Sequence, residues 1–264
     1  MITSIHTHTT WSDGIVTPGE LCAAAREYGI DVLGISDHYV LTPDNREIVW
    51  SMDLDVLPDY VAEVRALITA TEAPVVTLGV EADYFPETID ELARRLAPHL
   101  FDYRIGSVHI VDGFHVDEDA ESWAALCEDE RNDMWRRYWV RMCEMAETGL
   151  FDIAGHLDIP KKYGFRATAD LSAEITATFD AIAAAGMAIE INTAGWDKPA
   201  AEAYPTLTLL QQARQRGIPI AITADAHTPA DLTRHFPQAC ALAREAGYNE
   251  QVWFQEREAQ RIAL

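Results

Sequence analysis

Lysine is almost missing from this sequence. Lys161, Lys162 and Lys198 are the only three among 264 residues, and arginine carries the remaining positive charge. Acidic residues outnumber basic ones 43 to 20, for a formal net charge of -23. Such a chain has no broad basic surface, which argues against binding a nucleic acid polymer or an anionic membrane and favours a well-solvated acidic exterior. No apolar run has the length of a transmembrane helix. The start lacks a basic stretch followed by an apolar one, so no secretory leader is expected and the cytoplasm is the expected location. Cysteine is scarce: Cys22, Cys127, Cys143 and Cys240 form no C-x-x-C pair. Structural zinc held by thiolates is therefore not expected, and reduced, mostly buried thiols are. Linkers rich in Gly, Ser or Pro, low-complexity segments and short repeats are also missing, so one domain over residues 1–264 is expected.

Hydrophobic residues make up 48% of the chain, enough for a large core. Short apolar runs alternate with stretches of helical spacing throughout. The expected strands are Ile2–Ile5, Val32–Ser36, Val75–Val80, Tyr103–Val108, Asp152–Ala154, Ala188–Ile191 and Ile218–Thr223. The first helix is well marked. Thr17 and Glu20 make a capping box, Pro18 takes the first helical position and Gly29 follows the end. Repeated strand–helix units imply a parallel sheet, and about seven of them suit a closed or nearly closed barrel. Val111–Arg131 is acidic and poorly periodic, and reads as a long loop near the mouth.

The ends of these strands carry the chemistry. The first is followed by His6, His8 and Asp13, the second by Asp37 and His38, and the third by Glu81. The fourth ends at His109, the fifth at His156 and Asp158, the sixth at Glu190 and Asn192, and the seventh at Asp225 and His227. In a parallel barrel all carboxyl ends lie on one face, where active sites are built. Six of the nine histidines occupy these positions; His99, His115 and His235 do not. Singly, each has an ordinary reading: Asp13 before Gly14 as turn chemistry, Asp225 as a helix cap. Together they form a set of imidazoles and carboxylates suited to zinc, manganese or iron. Six histidines with Asp13, Glu81 and Asp225 are too many for one ion and suit two or three, with a carboxylate such as Glu81 able to bridge.

The strings "HTHTTWSDG", "ISDH", "GVEADY", "GSVH", "GHLD" and "ADAH", in that order, resemble the PHP (polymerase and histidinol phosphatase) superfamily. "GHLDIPKKYG" and "INTAGWDKPAAEAYP" resemble its stand-alone histidinol-phosphatase branch. The resemblance runs from Ile5 to about Gly247 and implies a distorted (β/α)7 barrel, TIM-like, with a trinuclear metal site. It implies that His6, His8, Glu81 and Asp225 hold one ion. Glu81 bridges to a second held by His109 and His156, and Asp13, His38 and His227 hold the third. It leaves zinc, manganese and iron open. The implied activity is hydrolysis of a small phosphomonoester, L-histidinol phosphate in this branch, as a step of histidine biosynthesis. One position departs. The branch usually has a basic residue after the glycine-aromatic pair of the sixth motif, where this chain has Asp197 and then Lys198. That departure keeps open a phosphoesterase acting on nucleotides or another small phosphate ester.

Hydrolysis of a phosphate ester needs a nucleophile, neutralisation of the phosphoryl oxygens and a stabilised leaving group. A water bridging two ions has a lowered pKa and supplies the first. The three lysines all fall just after strand-end motifs, so Lys161 or Lys162, together with Lys198, is expected to grip the substrate phosphate. Asp37 and Asp158 are the remaining candidate catalytic carboxylates, each able to orient a ligand histidine or to act as general acid. Trp11, His115 and Trp196 are candidates for contact with the organic part of the substrate.

Overall fold

The computed structural model describes residues 1–264. Its first half runs β1 (Thr3–Ser4), α1 (Pro18–Glu27), β2 (Val32–Ile35), β3 (His38–Tyr39), α2 (Leu57–Ala70), β4 (Val75–Leu78), β5 (Glu81–Asp83), α3 (Ile89–Leu96) and β6 (Ile105–Ser107). A hairpin of β7 (Ile110–Val111) and β8 (Phe114–His115) follows, then α4 (Ala120–Ala125) and α5 (Glu128–Glu147). The second half comprises β9 (Ile153–Ala154), α6 (Ser172–Ala185), β10 (Ala188–Asn192), α7 (Leu207–Gln215), β11 (Ile220–Thr223), α8 (Phe236–Glu245), β12 (Glu250–Gln255) and β13 (Glu258–Ala263). All seven expected strands form. α1 starts as its sequence dictates: the Glu20 amide donates to Thr17 Oγ1 and the Thr17 amide donates back to the Glu20 carboxylate.

The strands make a distorted parallel barrel. β1, β2 and β4 form one sheet, while β11, β10, β9, β6, β5 and β3 form another in that order. Two strands of the cylinder are each broken in the middle. β2 pauses at Ser36–Asp37 before β3, and β4 pauses at Gly79–Val80 before β5, so their halves belong to different sheets. Closure between β1 and β11 falls just beyond both strands. Thr7 bridges Ala226, with the His8 amide donating to the Ala226 carbonyl at 2.8 Å and the Ala226 amide to the His6 carbonyl at 3.1 Å. The seam of the barrel therefore lies among the histidines.

Inside the barrel, Ile5, Val32, Tyr103, Ile105, Ile153, Ala188 and Ala221 pack together, and Val252 and Phe254 of the terminal hairpin join them. The larger core lies outside, between the strands and the helices. Tyr103 reaches through the interior to donate to the Ile5 carbonyl at 2.6 Å. It fits because residues 34 and 79 are glycines, since a Cβ at either position would run into its ring or hydroxyl. Gly79→Ala is expected to cost roughly 1–3 kcal/mol of stability through this overpacking, seen as a lower melting temperature; an unchanged one would mean that Tyr103 moves aside freely.

Three expectations need correction. Val111–Arg131 is not a long loop. Asp112 and Gly113 take positive φ (49° and 83°) and turn the β7–β8 hairpin, the Asp-Gly preference of tight hairpins. The Asp119 carboxylate then accepts from the Ser122 amide at 2.7 Å to start α4, and α5 begins at Glu128. β8 and α4 are too short to show a period, and only the first turn of α5 falls inside the segment, which is why it reads as irregular. The segment does reach the mouth, as expected. The cysteines are free, but only Cys22 is buried; Cys127, the residue that caps the start of α5, is exposed, and Cys143 and Cys240, within α5 and α8, are half-buried. Six of the seven strands are also shorter than expected, β2 and β4 because of the two breaks, while β10 runs one residue further, to Asn192. No helix is long and apolar enough to cross a membrane.

Candidate metal centre

All nine candidate ligands meet at the carboxyl ends of the strands. In one group His6 Nε2 lies 3.1 Å from Glu81 Oε2 and 3.6 Å from Asp225 Oδ1. His8 Nε2 completes it, 3.5 Å from the same Glu81 oxygen and 3.1 Å from the same Asp225 oxygen. In a second group Glu81 Oε1 faces His156 Nε2 at 3.0 Å and His109 Nε2 at 3.7 Å, with the two ring nitrogens 3.1 Å apart. In a third, Asp13 lies 3.2 Å from His227 Nε2 and 3.8 Å from His38 Nε2. Two further approaches link these groups: His8 Nδ1 lies 3.9 Å from Asp13, and His38 Nδ1 lies 2.9 Å from Glu81. Asp225 enters with a positive φ of 51°, a conformation that aims its carboxylate at the seam.

This donor set fits divalent ions on a structural observation. His6 Nε2, His8 Nδ1, Asp13 Oδ1, His38 Nδ1 and Glu81 Oε2 are all buried and have no hydrogen-bond partner. Buried polar atoms are ordinarily satisfied, so a convergent group of orphans on imidazole and carboxylate is a cradle for cations. Burial and the neighbouring His38 and His227 push His8 down to about 3, leaving the neutral ring that ligation needs. Burial pushes the Glu81 carboxyl up, yet His38 and His6 outweigh it and hold it far below its ordinary range, as a carboxylate.

Outside these ligands lies a layer that orients them. His6 Nδ1 meets Glu190 Oε2 at 2.8 Å, and His109 Nδ1 meets Asp83 Oδ1 at 2.6 Å. Ser107 Oγ donates to Glu81 Oε1 at 2.6 Å, and Asn192 Nδ2 donates to both Glu190 and Asp225. The two histidine contacts engage Nδ1 and so present Nε2 to the centre, while Ser107 and Asn192 fix the carboxylates. The sequence reading assigned no role to Glu190 or Asp83. A signal existed, because Asp83 lies two residues after Glu81 on one strand and so shares its face.

Asp37 and Asp158 do neither of the things expected of them. Asp37 is buried and accepts from the amides and hydroxyls of both Thr9 and Ser12, which fixes the loop that delivers Asp13. Burial holds its carboxyl above the ordinary value in spite of those donors. Asp158 pairs with Lys161 at 2.9 Å and accepts from the Thr206 amide. Neither touches a histidine ring, and neither lines the cavity over the centre.

That cavity has a volume of about 430 Å³ and is lined mostly by polar and charged residues. Lys162, Lys198 and His115 line it; Lys161 does not, being fully buried behind the turn. Lys162 is tethered to Asp117 at 3.0 Å, and this carboxylate outweighs burial to hold the ammonium above its ordinary pKa. Trp196 packs on His235 and Trp11 bonds Glu63, so neither reaches the cavity. The aromatics that do are Tyr204 and Trp50, the latter set edge-on to the rings of His38 and His109. Asp197, where a basic residue is usual, faces His235 at 2.8 Å and Arg234 at 3.5 Å. Arg234 lines the cavity, so a guanidinium stands beside the acidic substitution.

A family model described as PHP domain matches residues 4–194. A relative from Deinococcus radiodurans, described as a "Probable histidinol-phosphatase", is 36% identical over 245 residues, 92% of each chain. Among solved structures, histidinol phosphate phosphatase from Lactococcus lactis, complexed with zinc, L-histidinol and phosphate, superposes with a TM-score of 0.80. It is 21% identical and 98% of each chain is covered. A putative histidinol phosphatase from Listeria monocytogenes gives a TM-score of 0.75 at 20% identity, covering 89% of this chain and 99% of that one.

Proposed function

The chain belongs to the PHP domain family, and from that premise we propose that it is a metal-dependent phosphoric monoester hydrolase that converts L-histidinol phosphate to L-histidinol and phosphate. The observation that carries this reading is the convergence of six imidazoles and three carboxylates, with orphaned donor atoms, on the floor of a cavity walled by lysine. The relatives named for this activity, and the zinc, L-histidinol and phosphate of the Lactococcus lactis complex, support it.

His6, His8, Glu81 and Asp225 would hold one ion, Glu81, His109 and His156 a second, and Asp13, His38 and His227 a third. Bound there, divalent ions, zinc by the precedent of that complex, lower the pKa of water and neutralise phosphoryl charge. The protein's own groups do the rest. Lys162 and Lys198 face the cavity and grip the phosphate, Lys162 remaining charged because Asp117 is beside it. Glu190 and Asp83 keep His6 and His109 in the required tautomers. Asp37 holds the Thr9–Ser12 loop, and with it Asp13, in place. His115 and Trp50 are the cavity groups available to the imidazole and amino ends of the substrate. The single domain over 1–264 and a cytoplasmic location belong to this reading too.

The test is phosphate release by chelated protein reloaded with zinc, manganese or iron, across L-histidinol phosphate and nucleoside monophosphates. Turnover of L-histidinol phosphate, with loss on chelation, is expected. Turnover of nucleotides alone would replace the substrate, and turnover that survives full chelation would remove the metal mechanism.

A further inference from the structure

Tyr204 lies in none of the roles above, yet it lines the same cavity as Lys162 and Lys198 and is only 2% exposed. Its backbone is stapled to the end of β10. The Tyr204 amide donates to the Asn192 carbonyl at 3.0 Å, and the Asn192 amide donates to the Tyr204 carbonyl at 2.7 Å. The buried Lys161 ammonium donates to the carbonyl of Ala203 at 2.7 Å and sits 5.4 Å from the centre of the Tyr204 ring. Asp158 Oδ2 accepts from that ammonium at 2.9 Å and from the Thr206 amide at 3.1 Å. On its remaining side the ring rests on Gly195, where a Cβ would come within 2.9 Å of Cζ. A buried ion pair, a strand end and a glycine thus restrain one ring.

Its hydroxyl, by contrast, has no partner at all. A buried, unpaired phenol on the wall of a ligand cavity is an exception among proteins, where such groups are nearly always bonded. The hydroxyls of Tyr60 and Tyr103, also buried, both reach backbone carbonyls. We propose that the Tyr204 hydroxyl donates a hydrogen bond to a phosphoryl oxygen of the bound ester, as a neutral companion to Lys162 and Lys198. The inference rests on the phosphomonoesterase reading. It makes Lys161 and Asp158 positioning residues that act through Tyr204. Burial, with the carboxylates of Asp158, Asp225 and Asp117 nearby, pushes the phenol well above its ordinary pKa. Tyr204 therefore keeps its proton and serves as a donor, not as the acid that protonates the leaving alkoxide, since a phenolate among three carboxylates is disfavoured.

The experiment uses the full chain loaded with metal, and compares wild type with Tyr204→Phe. Binding of inorganic phosphate is followed by calorimetry, and hydrolysis of p-nitrophenyl phosphate gives KM, kcat and the inhibition constant of phosphate. Because the hydroxyl bonds nothing in the protein, the melting temperature and metal content should not change. Phosphate affinity should weaken roughly ten- to a hundredfold, the range of a hydrogen bond to a charged group, and the two limbs of the pH profile should stay where they are. Unchanged phosphate affinity overturns the proposal. So does weakened binding of L-histidinol alone, which would turn the hydroxyl toward the organic moiety, or a shifted alkaline limb, which would make it an acid. Inorganic phosphate and an aryl ester report on Tyr204 even if L-histidinol phosphate proves to be the wrong substrate.

Discussion

Glu81→Gln is expected to leave a folded protein that has lost both ion content and nearly all phosphate release. Glu81 is the one side chain that faces every histidine of the first two ligand groups, and it also approaches His38 of the third. Its Oε2 lies 3.1 Å from His6, 3.5 Å from His8 and 2.9 Å from His38, while Oε1 lies 3.0 Å from His156. The side chain is fully buried and ionised, and Gln keeps its shape while removing the charge that joins the groups. Losing an outer-layer partner of a ligand typically costs ~10–100-fold in metal affinity or activity, and removal of the proposed bridging ligand should exceed that. Elemental analysis after equilibration with zinc, together with initial rates, checks it. Stoichiometry and rate both within twofold of wild type would mean that the groups do not share this carboxylate.

The second large effect belongs to a residue that touches no substrate. Glu190 is buried, and all its hydrogen-bonding capacity is spent. One oxygen takes the His6 ring and the Thr223 hydroxyl, each at 2.8 Å; the other takes the His156 amide at 2.6 Å and Asn192 at 3.0 Å. Glu190→Gln sets an N–H against donors in either orientation. With the amide nitrogen toward His6, Nδ1 loses its acceptor and the ring is no longer fixed with Nε2 free; with it turned away, it opposes the His156 amide and Asn192 instead. A loss of ~10–100-fold in metal affinity or activity is expected, with roughly 1–3 kcal/mol of stability for the donors left unpaired. The pH dependence has a definite sign. Burial raises the Glu190 carboxyl, but His6 outweighs it and holds it below the ordinary 4.5. The contribution is therefore full above that value and is lost as pH falls through the folded-state pKa. Chemical denaturation of chelated wild type and variant across acid pH should show their difference shrinking downward. A constant difference, or a variant with normal ion content, would refute the orienting role.

Much of this protein is written locally. Thr17, Pro18, Glu20 and Gly29 specify a helix whatever surrounds them, because capping is settled within one turn. The seven apolar runs and the residues directly after them follow from strand length and direction. In a parallel barrel, that places His6, His38, Glu81, His109, His156 and Asp225 on one rim without knowledge of any contact. The alternation and order of the motifs were thus sufficient for the architecture and for gathering these imidazoles and carboxylates at one rim.

Tertiary structure decided what each neighbour does. Lys161 and Lys162 are adjacent, but successive residues of a 3₁₀ turn point ~120° apart; one enters the core against Asp158 and the other the cavity beside Asp117. Glu190 and Asp83 became orienting residues, and Asp37 a loop anchor, through partners up to 184 positions away in the chain. Sequence sets a side chain's chemistry and the strand end it occupies. Its direction and its partner emerge only when the barrel closes at Thr7 and Ala226, because hydrogen bonds and ligand distances are properties of separated segments brought within a few ångströms.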